Sequence, residues 1–337
     1  MRLVRHPVLL NYYVTFRCNA KCGFCDIWEK PSPYVTLDAA RQNLRDARRL
    51  GVRVVDFTGG EPLLHRGLAD LLRAARAEGM LTTVTTNGML YPKRAEELRG
   101  LVDMLHFSLD SADRATHDKG RGVACFDFVL ESIRVAKELG ERPDILFTVF
   151  PENIHDLEQV WREITQPNDL VLIINPAFQY NDVAAGENLT TEQLDYVSAF
   201  GRRPGVYLNE GFIQLRRDGG NDPAKPVCRA ASTTLVISPD DELVLPCYHL
   251  GEKKFPIAGE LFSLYRQPEV KRLIALEGRL PACAGCTINC YMQPSFAVET
   301  SRYFWKALPS TIKYNRMKGT WKRLWSAGRQ PAAAPAS

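Results

Sequence analysis

The sequence predicts an α/β fold: a partial (β/α)6 barrel followed by a small domain built from a β-hairpin and a helix. The first observation is that six apolar, β-rich runs alternate with amphipathic helical stretches from residue 8 to about residue 176. The second is that each strand-plus-helix unit covers roughly 25 to 35 residues, the length that a right-handed crossover between parallel strands requires. The third is that this alternation stops after residue 200, where a hairpin pattern flanked by cysteines begins.

The six runs have the continuous apolar character of strands that are covered on both faces. In chain order they read VLLNYYVTF, VRVVDFT, LTTVTTN, DMLHFSLD, ILFTVF and LVLIIN. Helical patterns separate them at about 37–50, 66–79, 92–100, 124–139 and 155–165. Because the chemistry of parallel barrels lies at the carboxyl ends of the strands, we expect the segments that follow these runs to carry the site.

The last third of the chain has a different pattern. The segment TTLVISPDDELVLPC predicts a hairpin that turns at residues 239–242, because apolar alternation continues on both sides of the turn. A helix is expected at about 268–277. We therefore divide the chain into a barrel, a second domain and a C-terminal tail, at 1–205, 206–296 and 297–337.

The composition is that of an ordinary globular protein, with 45% hydrophobic and 24% charged residues. No apolar run reaches the roughly 18 residues of a spanning helix, and the N-terminal segment lacks the small-residue cleavage site of a signal peptide. We therefore expect a cytoplasmic protein. Nine cysteines, an odd number at close spacings, favour metal binding or catalysis over a disulfide framework.

One loop holds three cysteines at the spacing Cys-x3-Cys-x2-Cys, in the stretch FRCNAKCGFCDIW. A structural zinc site is closed by four protein ligands, whereas Cys18, Cys22 and Cys25 supply three. A [4Fe–4S] cluster takes one cysteine per iron, so three cysteines leave one iron open to a ligand that is not protein. An incomplete zinc knuckle and unrelated cysteines are the alternatives.

With Phe24 directly before the third cysteine, this stretch closely resembles the signature of radical S-adenosylmethionine (SAM) enzymes. The resemblance implies a cluster on Cys18, Cys22 and Cys25 whose open iron is chelated by the amino and carboxylate groups of SAM, with Phe24 beside the adenine. It also implies reductive cleavage of SAM to a 5′-deoxyadenosyl radical that abstracts a hydrogen atom from the substrate. A low-potential electron donor of the flavodoxin or ferredoxin type is then required.

The segment TGGEP follows the second strand and places two glycines beside a carboxylate. Gly59 and Gly60 allow a close approach of the backbone to a ligand, and Glu61 can accept a hydrogen bond from a cationic amine. The resemblance assigns this stretch to the amino group of SAM. A glycine-rich turn without any ligand is the alternative.

Polar residues also follow the next strands. The resemblance implies that Ser108 and Asp110, at the end of the fourth run, belong to the SAM site together with a basic residue further on. Arg121 suits a carboxylate contact better than Arg134, because Arg134 lies in the middle of a predicted helix and suits a solvated position.

Four further residues of the barrel part of the sequence are candidates or are weighed as candidates: two asparagines, a histidine and a cysteine. Asn87 and Asn153 are candidate neighbours of SAM, although asparagine also serves turns. His117 is interpreted as an exposed loop residue, with contact to the substrate as the alternative, and Cys125 as a core residue on the apolar face of a helix.

A second cysteine set follows residue 220, with the arrangement Cys-x18-Cys around the hairpin and then Cys-x2-Cys-x3-Cys. It resembles the twitch, or shortened SPASM, extension of radical SAM enzymes, which implies one auxiliary [4Fe–4S] cluster. The expected ligands are Cys228, Cys247, Cys283 and Cys286. Cys290 either replaces one of them or serves near the substrate. A zinc site closed by four cysteines is the alternative.

The net charge of +4 hides an asymmetry, because residues 301–337 carry eight Lys and Arg and no acid. The first 300 residues then hold 35 basic and 39 acidic residues, a balance that argues against a nucleic-acid groove. The segment 309–325 predicts a helix that begins at Pro309. One face of this helix gathers Tyr314, Met317, Trp321, Leu324 and Trp325.

Two interpretations of this tail stay open. It docks its aromatic face on the barrel, or residues 301–329 contact an anionic membrane surface. For the substrate, the resemblance favours a peptide or a natural-product intermediate, and a lipid or isoprenoid is second. A non-catalytic iron–sulfur carrier is the alternative of another class, but a carrier needs no SAM pocket.

Overall fold

The computed structural model describes residues 2–178 and 188–319. Within these ranges it contains one ten-stranded mixed sheet. The strands are β1 Leu9–Thr15, β2 Val54–Gly59, β3 Leu81–Thr86, β4 Met104–Ser108, β5 Asp144–Val149, β6 Val171–Pro176, β7 Val206–Tyr207, β8 Thr234–Ile237, β9 Glu242–Leu245 and β10 Lys253–Pro256.

The strands follow the order β10-β9-β8-β1-β2-β3-β4-β5-β6-β7 across the sheet. Neighbours from β8 through β1 to β7 are parallel, and β9 and β10 add antiparallel at one edge. The α/β class and the six parallel strands of the partial barrel are thus confirmed, and the sheet does not close.

Helices cover the outer face of the sheet and pack on one another at the edges. In chain order they are α1 Leu37–Leu50, α2 Leu68–Ala77, α3 Tyr91–Leu98, α4 Arg114–Arg121, α5 Phe126–Glu138, α6 Asp156–Gln159, α7 Thr191–Phe200, α8 Glu210–Arg217, α9 Ala230–Thr233, α10 Leu261–Leu264, α11 Pro268–Ile274, α12 Asn289–Val298 and α13 Arg302–Lys318. Short 3-10 turns lie at Ile27–Glu29, Pro62–Leu64 and Pro281–Cys283, and α6 continues as a π-helix over Val160–Thr165.

Successive side chains of a strand face opposite sides of the sheet, and the main core lies on the side that the helices cover. On β5, Ile145 and Phe147 belong to the core formed with the helices, so Leu146 and Thr148 face the opposite, inner side. The inner side carries a second, smaller core that includes Tyr13, Val236 and Phe296. This smaller core joins the barrel to the cysteine-rich C-terminal segments.

The predicted hairpin forms β8 and β9, and it extends the barrel sheet directly because β8 pairs with β1. Its turn contains Asp241 at φ 59, and the Asp241 carboxylate accepts a hydrogen bond from the Asn43 amide at 2.7 Å. The sequence did not indicate β7, β10 or α4, which are short or polar. The helix expected at about 268–277 ends at Ile274.

The C-terminal helix α13 begins earlier than predicted. Ser301 caps its first turn, and Pro309 lies inside the helix rather than at its start. The Tyr314 hydroxyl donates to Asp144 at 2.7 Å, and the Lys318 ammonium lies 2.8 Å from the same carboxylate. Because Asp144 begins β5, α13 packs across the amino end of the barrel.

This packing agrees with the docking interpretation of the tail for the part of it that is described. The remainder of the predicted aromatic face lies outside the described residues: Trp321, Leu324 and Trp325. Across the ranges that the structure covers, the helices are too short or too polar to cross a bilayer.

Candidate active site

The carboxyl ends of the parallel strands surround a cavity of about 260 Å³, here called the central cavity. Its walls come from β1, β2, β5, β6, the cysteine loop and the C-terminal segments. They include Tyr13, Phe24, Cys25, Thr58, Gly59, Thr148, Phe150, Asn175, Pro176, Ala177, Phe178, Tyr248, His249, Asn289 and Cys290. The predicted position of the site, at the carboxyl ends of the strands, therefore coincides with a cavity.

The cysteine loop, residues 16–26, leaves β1 and is held by the end of α4. The Lys21 amide donates to the Arg121 carbonyl at 3.0 Å. Gly122 ends α4 with φ 63, and a Cβ at this position would lie 2.3 Å from the Lys21 carbonyl oxygen. A glycine is required here because the loop and the helix end touch through their backbones.

Three partly exposed thiols project from this loop: Cys18, Cys22 and Cys25. They are spaced more widely than the ligands of a zinc ion. Over the part of the chain that the structure describes, the only His, Cys, Asp or Glu triplet with ligand atoms within 4.8 Å of one another is His117, Asp118 and Cys125. Tetrahedral zinc with bonds of about 2.3 Å would bring its sulfurs within about 4 Å. A cube that binds each thiolate through a different iron suits the wider spacing.

Phe24 forms an aromatic wall of the central cavity. Its ring centroid lies 5.1 Å from that of Phe150, and the Arg121 guanidinium lies 5.3 Å from the Phe24 ring. Both rings line the cavity beside Cys25. A planar heterocycle can stack here, which is where the resemblance expects the adenine.

The two glycines of TGGEP are needed for a contact within the protein. A Cβ on Gly59 would lie 2.0 Å from the Thr15 carbonyl oxygen, and one on Gly60 would lie 2.2 Å from the Arg17 carbonyl oxygen. The Gly60 and Glu61 amides donate to these same carbonyls at 2.9 Å each. The sequence interpretation attributed the glycines to a ligand. The structure adds that the cysteine loop and TGGEP are bound directly to one another.

Glu61 is buried and already accepts three hydrogen bonds. Its oxygens accept from the Leu63 amide at 2.9 Å, the Thr86 hydroxyl at 2.8 Å and the Asn87 amide at 2.9 Å. Burial raises the pKa of Glu61, and the hydrogen bonds oppose this. The carboxylate therefore fixes the turn after β3. Its contact with the amino group of SAM stays a prediction.

The Asn87 side chain contacts the cysteine loop. Its amide nitrogen donates to Asn19 at 2.8 Å, and its oxygen accepts from the Met89 amide at 3.1 Å. Asn153 instead serves a turn. Its side chain accepts from the Phe150 amide at 2.7 Å and donates to the Asp110 carbonyl at 3.0 Å. Of the two, Asn87 is the one that touches the motif carrying the cysteines.

Asp110 and Arg121 form a buried ion pair behind the cysteine loop, with 2.6 Å between carboxylate and guanidinium. The Asp110 carboxylate also accepts from the Thr148 amide at 2.8 Å. The Arg121 guanidinium lies 3.9 Å from the Cys22 sulfur, and these neighbours raise its pKa although burial lowers it. Arg134 lies on the surface and pairs with Glu131 at 2.6 Å.

Ser108 is buried at the end of β4, and among the described residues it is not part of the central cavity wall. His117 is buried as well, so its interpretation as an exposed loop residue was wrong. Its ring accepts from the Asp110 amide at 3.2 Å and lies 3.4 Å from the Cys125 sulfur. Burial lowers the pKa of His117 to about 3. Cys125 is buried, as expected.

A second, larger cavity of about 550 Å³, here called the C-terminal cavity, lies beside the hairpin. Four of the five C-terminal cysteines line it: Cys228, Cys247, Cys283 and Cys286. Burial raises the pKa of each of these four thiols, and neighbouring thiols add to the rise at Cys228, Cys247 and Cys286. His249 belongs to the walls of both cavities.

Asn221 holds the cysteine segments together, and the sequence analysis missed it. Its amide nitrogen donates to the Gly278 carbonyl at 2.8 Å and to the Cys283 carbonyl at 3.1 Å. Its side-chain oxygen accepts from the Cys228 amide at 3.2 Å, and its backbone amide donates to the Cys286 carbonyl at 3.0 Å. A single asparagine in GGNDP carries no recognisable pattern, so only the fold shows this role.

Cys290 faces the central cavity instead of the C-terminal one. Its thiol has open surface toward that cavity but is otherwise enclosed by protein, and burial raises its pKa to about 12. The sulfur lies 3.4 Å from the Asn289 side-chain oxygen. The structure thus separates Cys290 from the other four cysteines.

Asp56 is an acid that the sequence analysis passed over within the apolar run VRVVDFT. It lies on the same face of β2 as Thr58, which lines the central cavity. The Thr83 hydroxyl donates to it at 3.4 Å, and burial raises the pKa of Asp56 to about 7. A charged residue in an otherwise apolar strand was the available signal.

Two comparisons relate the chain to known sequences. The model of the radical SAM superfamily matches residues 12–164, which include the cysteine loop, TGGEP and the SLDS segment. A relative from Methanocella arvoryzae, a probable GTP 3',8-cyclase, is 35% identical over 270 residues, covering 74% of this chain and 84% of its own.

Two solved structures share the fold. Streptococcus suis SuiB bound to S-adenosylmethionine has a TM-score of 0.62 and 19% identity, covering 80% of this chain and 67% of its own. Native anSMEcpe with bound AdoMet has a TM-score of 0.61 and 15% identity, covering 96% of this chain and 100% of its own. At these identities the likeness establishes the fold alone.

Proposed function

Because the chain belongs to the radical SAM superfamily, we propose that it is an enzyme that abstracts a hydrogen atom from a substrate held in the central cavity. One observation carries the proposal: Cys25 and Phe24 of the cysteine loop share this cavity with Asn289 and Cys290 of the C-terminal region. A molecule bound there touches both parts of the protein at once.

As a member of this superfamily the enzyme uses a [4Fe–4S] cluster and SAM. The donor set fits this group, because three thiolates on one loop leave one iron for SAM. When bound, the cluster and SAM supply a 5′-deoxyadenosyl radical by reductive cleavage. The chain holds the cluster through Cys18, Cys22 and Cys25, and the Phe24 ring provides a stacking surface.

The surroundings of the loop keep this arrangement rigid. We propose that Arg121 and Asp110 fix the loop from behind, while Gly59, Gly60 and Asn87 fix it from the side of β2 and β3. Ser108 and Asn153 support the site without touching the ligand, because neither lines the central cavity. The aromatic walls exclude water from the place where a radical would form.

We propose that an auxiliary [4Fe–4S] cluster binds to Cys228, Cys247, Cys283 and Cys286, in a domain of the twitch type at about 206–296. Two observations support a cluster over zinc. The four thiols line one cavity of about 550 Å³, and no three of them lie within 4.8 Å of one another in the described residues. Cys290 is not a ligand in this proposal and serves the substrate side.

For the substrate we propose a nucleotide rather than a peptide or a lipid. The relative that matches over most of its length is named for a reaction on GTP. The central cavity offers aromatic walls and polar groups such as Thr148 and Asn175, which suit a base and a ribose. The lipid alternative rested on the tail, whose described part packs on the barrel.

The proposal is tested by incubating the anaerobically reconstituted protein with dithionite, SAM and a panel of nucleotides. We expect 5′-deoxyadenosine to form, and to form several-fold faster with the correct nucleotide. With that nucleotide deuterated at the reacting carbon, deuterium should appear in the 5′-deoxyadenosine. A variant with Cys18, Cys22 and Cys25 replaced by alanine is the control. Absence of 5′-deoxyadenosine from the wild type would refute the proposal.

A further inference from the structure

Arg216, near the end of α8, is an arginine without an acidic partner in the described residues. Its neighbour Arg217 pairs with Asp195 at 2.6 Å, and Arg229 pairs with Glu299 at 2.9 Å. Arg216 instead lines the C-terminal cavity, and burial alone lowers its pKa to about 10. It therefore stays charged at neutral pH, at a cost that no carboxylate of the described residues offsets.

The contacts of Arg216 hold the guanidinium in one place. One terminal nitrogen, Nη2, donates to the carbonyls of Pro176 and Ala177, and the guanidinium lies 5.2 Å from the Phe212 ring. Its Nε is buried without a hydrogen-bond acceptor, and Nη1 has no acceptor among the described residues. The side chain is thus oriented, while part of its donor capacity is unused.

Its position connects the two cavities. Pro176 and Ala177, whose carbonyls hold the guanidinium, line the central cavity, whereas Arg216 itself lines the C-terminal cavity. His249 belongs to both walls. The guanidinium is therefore bound to backbone carbonyls of residues that line the neighbouring central cavity.

We propose that Arg216 binds an anionic group of the substrate, a phosphate or a carboxylate, in the C-terminal cavity. This inference rests on the proposed function, because it takes the central cavity as the place where the substrate reacts. The guanidinium anchors one end of the substrate so that its reacting carbon lies beside the SAM site. Arginine suits this task because it stays charged in a partly buried position and its Nη1 group can donate to either anion.

The test is a set of anaerobic titrations of the cluster-loaded protein with GTP, inorganic pyrophosphate and malonate, at constant ionic strength. The proteins are the wild type, Arg216→Met, Arg216→Lys and the control Arg217→Met. GTP and pyrophosphate represent the phosphate source of the anion, and malonate represents the carboxylate source. Formation of 5′-deoxyadenosine without added substrate is measured in parallel.

We expect at least one probe to bind the wild type and Arg217→Met equally, and Arg216→Met at least tenfold more weakly. Arg216→Lys should recover part of the affinity, because it restores the positive charge. Equal binding by Arg216→Met and Arg217→Met, or no binding of any probe to the wild type, would overturn the inference. If the inference is overturned but the wild type still forms 5′-deoxyadenosine, the proposed function stands. If the wild type forms no 5′-deoxyadenosine, the proposed function itself is refuted.

Discussion

At the scale of single residues, Asn221 is the side chain on which the C-terminal cysteines depend. It contacts the backbone beside three of the four proposed ligands. We expect Asn221→Leu, which keeps the branched shape of the side chain and removes its hydrogen bonds, to lower iron from about eight to about four atoms per chain, since each cluster holds four. The measurement is iron per protein after anaerobic reconstitution. Asn168→Leu, at a surface asparagine, is the matched control, and an unchanged iron content in Asn221→Leu would contradict this role.

Arg121 gives a second prediction at this scale. Arg121→Met leaves Asp110 buried without its cation, which should lower the free energy of unfolding by about 3 kcal/mol. The loop that carries Cys22 should loosen as well, so 5′-deoxyadenosine formation should fall at least tenfold. Arg134→Met, on the surface, should change neither the melting temperature nor the activity. If both variants behave alike, the ion pair does not support the loop.

Some residues of the site could be identified from the sequence, and others could not. Cys18, Cys22 and Cys25 are recognisable because their spacing is local, and Arg121 was preferred over Arg134 on chemical grounds. The reason for Gly59 and Gly60 was only partly foreseen, because the carbonyls that approach them belong to Thr15 at the end of β1 and Arg17 in the cysteine loop. Asn221 was missed, since the Cys283 carbonyl that its side chain contacts lies 62 residues away in the chain.

At the scale of elements, α13 is fastened to the barrel through one buried carboxylate. Asp144 is fully buried and contacts Lys318, Tyr314 and His106. Lys318→Met should lower the free energy of unfolding by about 2–3 kcal/mol, because it leaves a buried charge with fewer partners. Denaturant unfolding measures this change. Arg316→Met, on the exposed face of the same helix, should have no effect, and equal stability of the two variants would show that α13 is not held in this way.

Elements were predicted best where they are long and periodic. All six barrel strands and the helix at 37–50 were foreseen, because apolar residues repeat at strand or helix spacing. Helix α4 was not, because RATHDKGR is polar and its stability comes from the Asp113 cap and from contacts with the cysteine loop. The start of α13 was misplaced because Pro309 was interpreted as its first residue.

At the scale of the whole molecule, the sheet itself joins the two proposed metal sites. Strand β1 pairs with β2 on one side and with β8 on the other, so the cysteine loop and the hairpin start from neighbouring strands. The sequence indicated both cysteine sets but not that β8 lies beside β1. Strand order is a long-range property, and nothing in local periodicity encodes it.

The central claim is that Cys18, Cys22 and Cys25 hold a cluster with one iron open to SAM. The most direct measurement is electron paramagnetic resonance of the reduced protein with the four C-terminal ligands replaced by alanine, recorded before and after SAM is added. We predict a [4Fe–4S]⁺ signal whose shape changes with SAM. A signal that SAM leaves unchanged, or zinc bound in place of iron at these three thiols, would contradict the account.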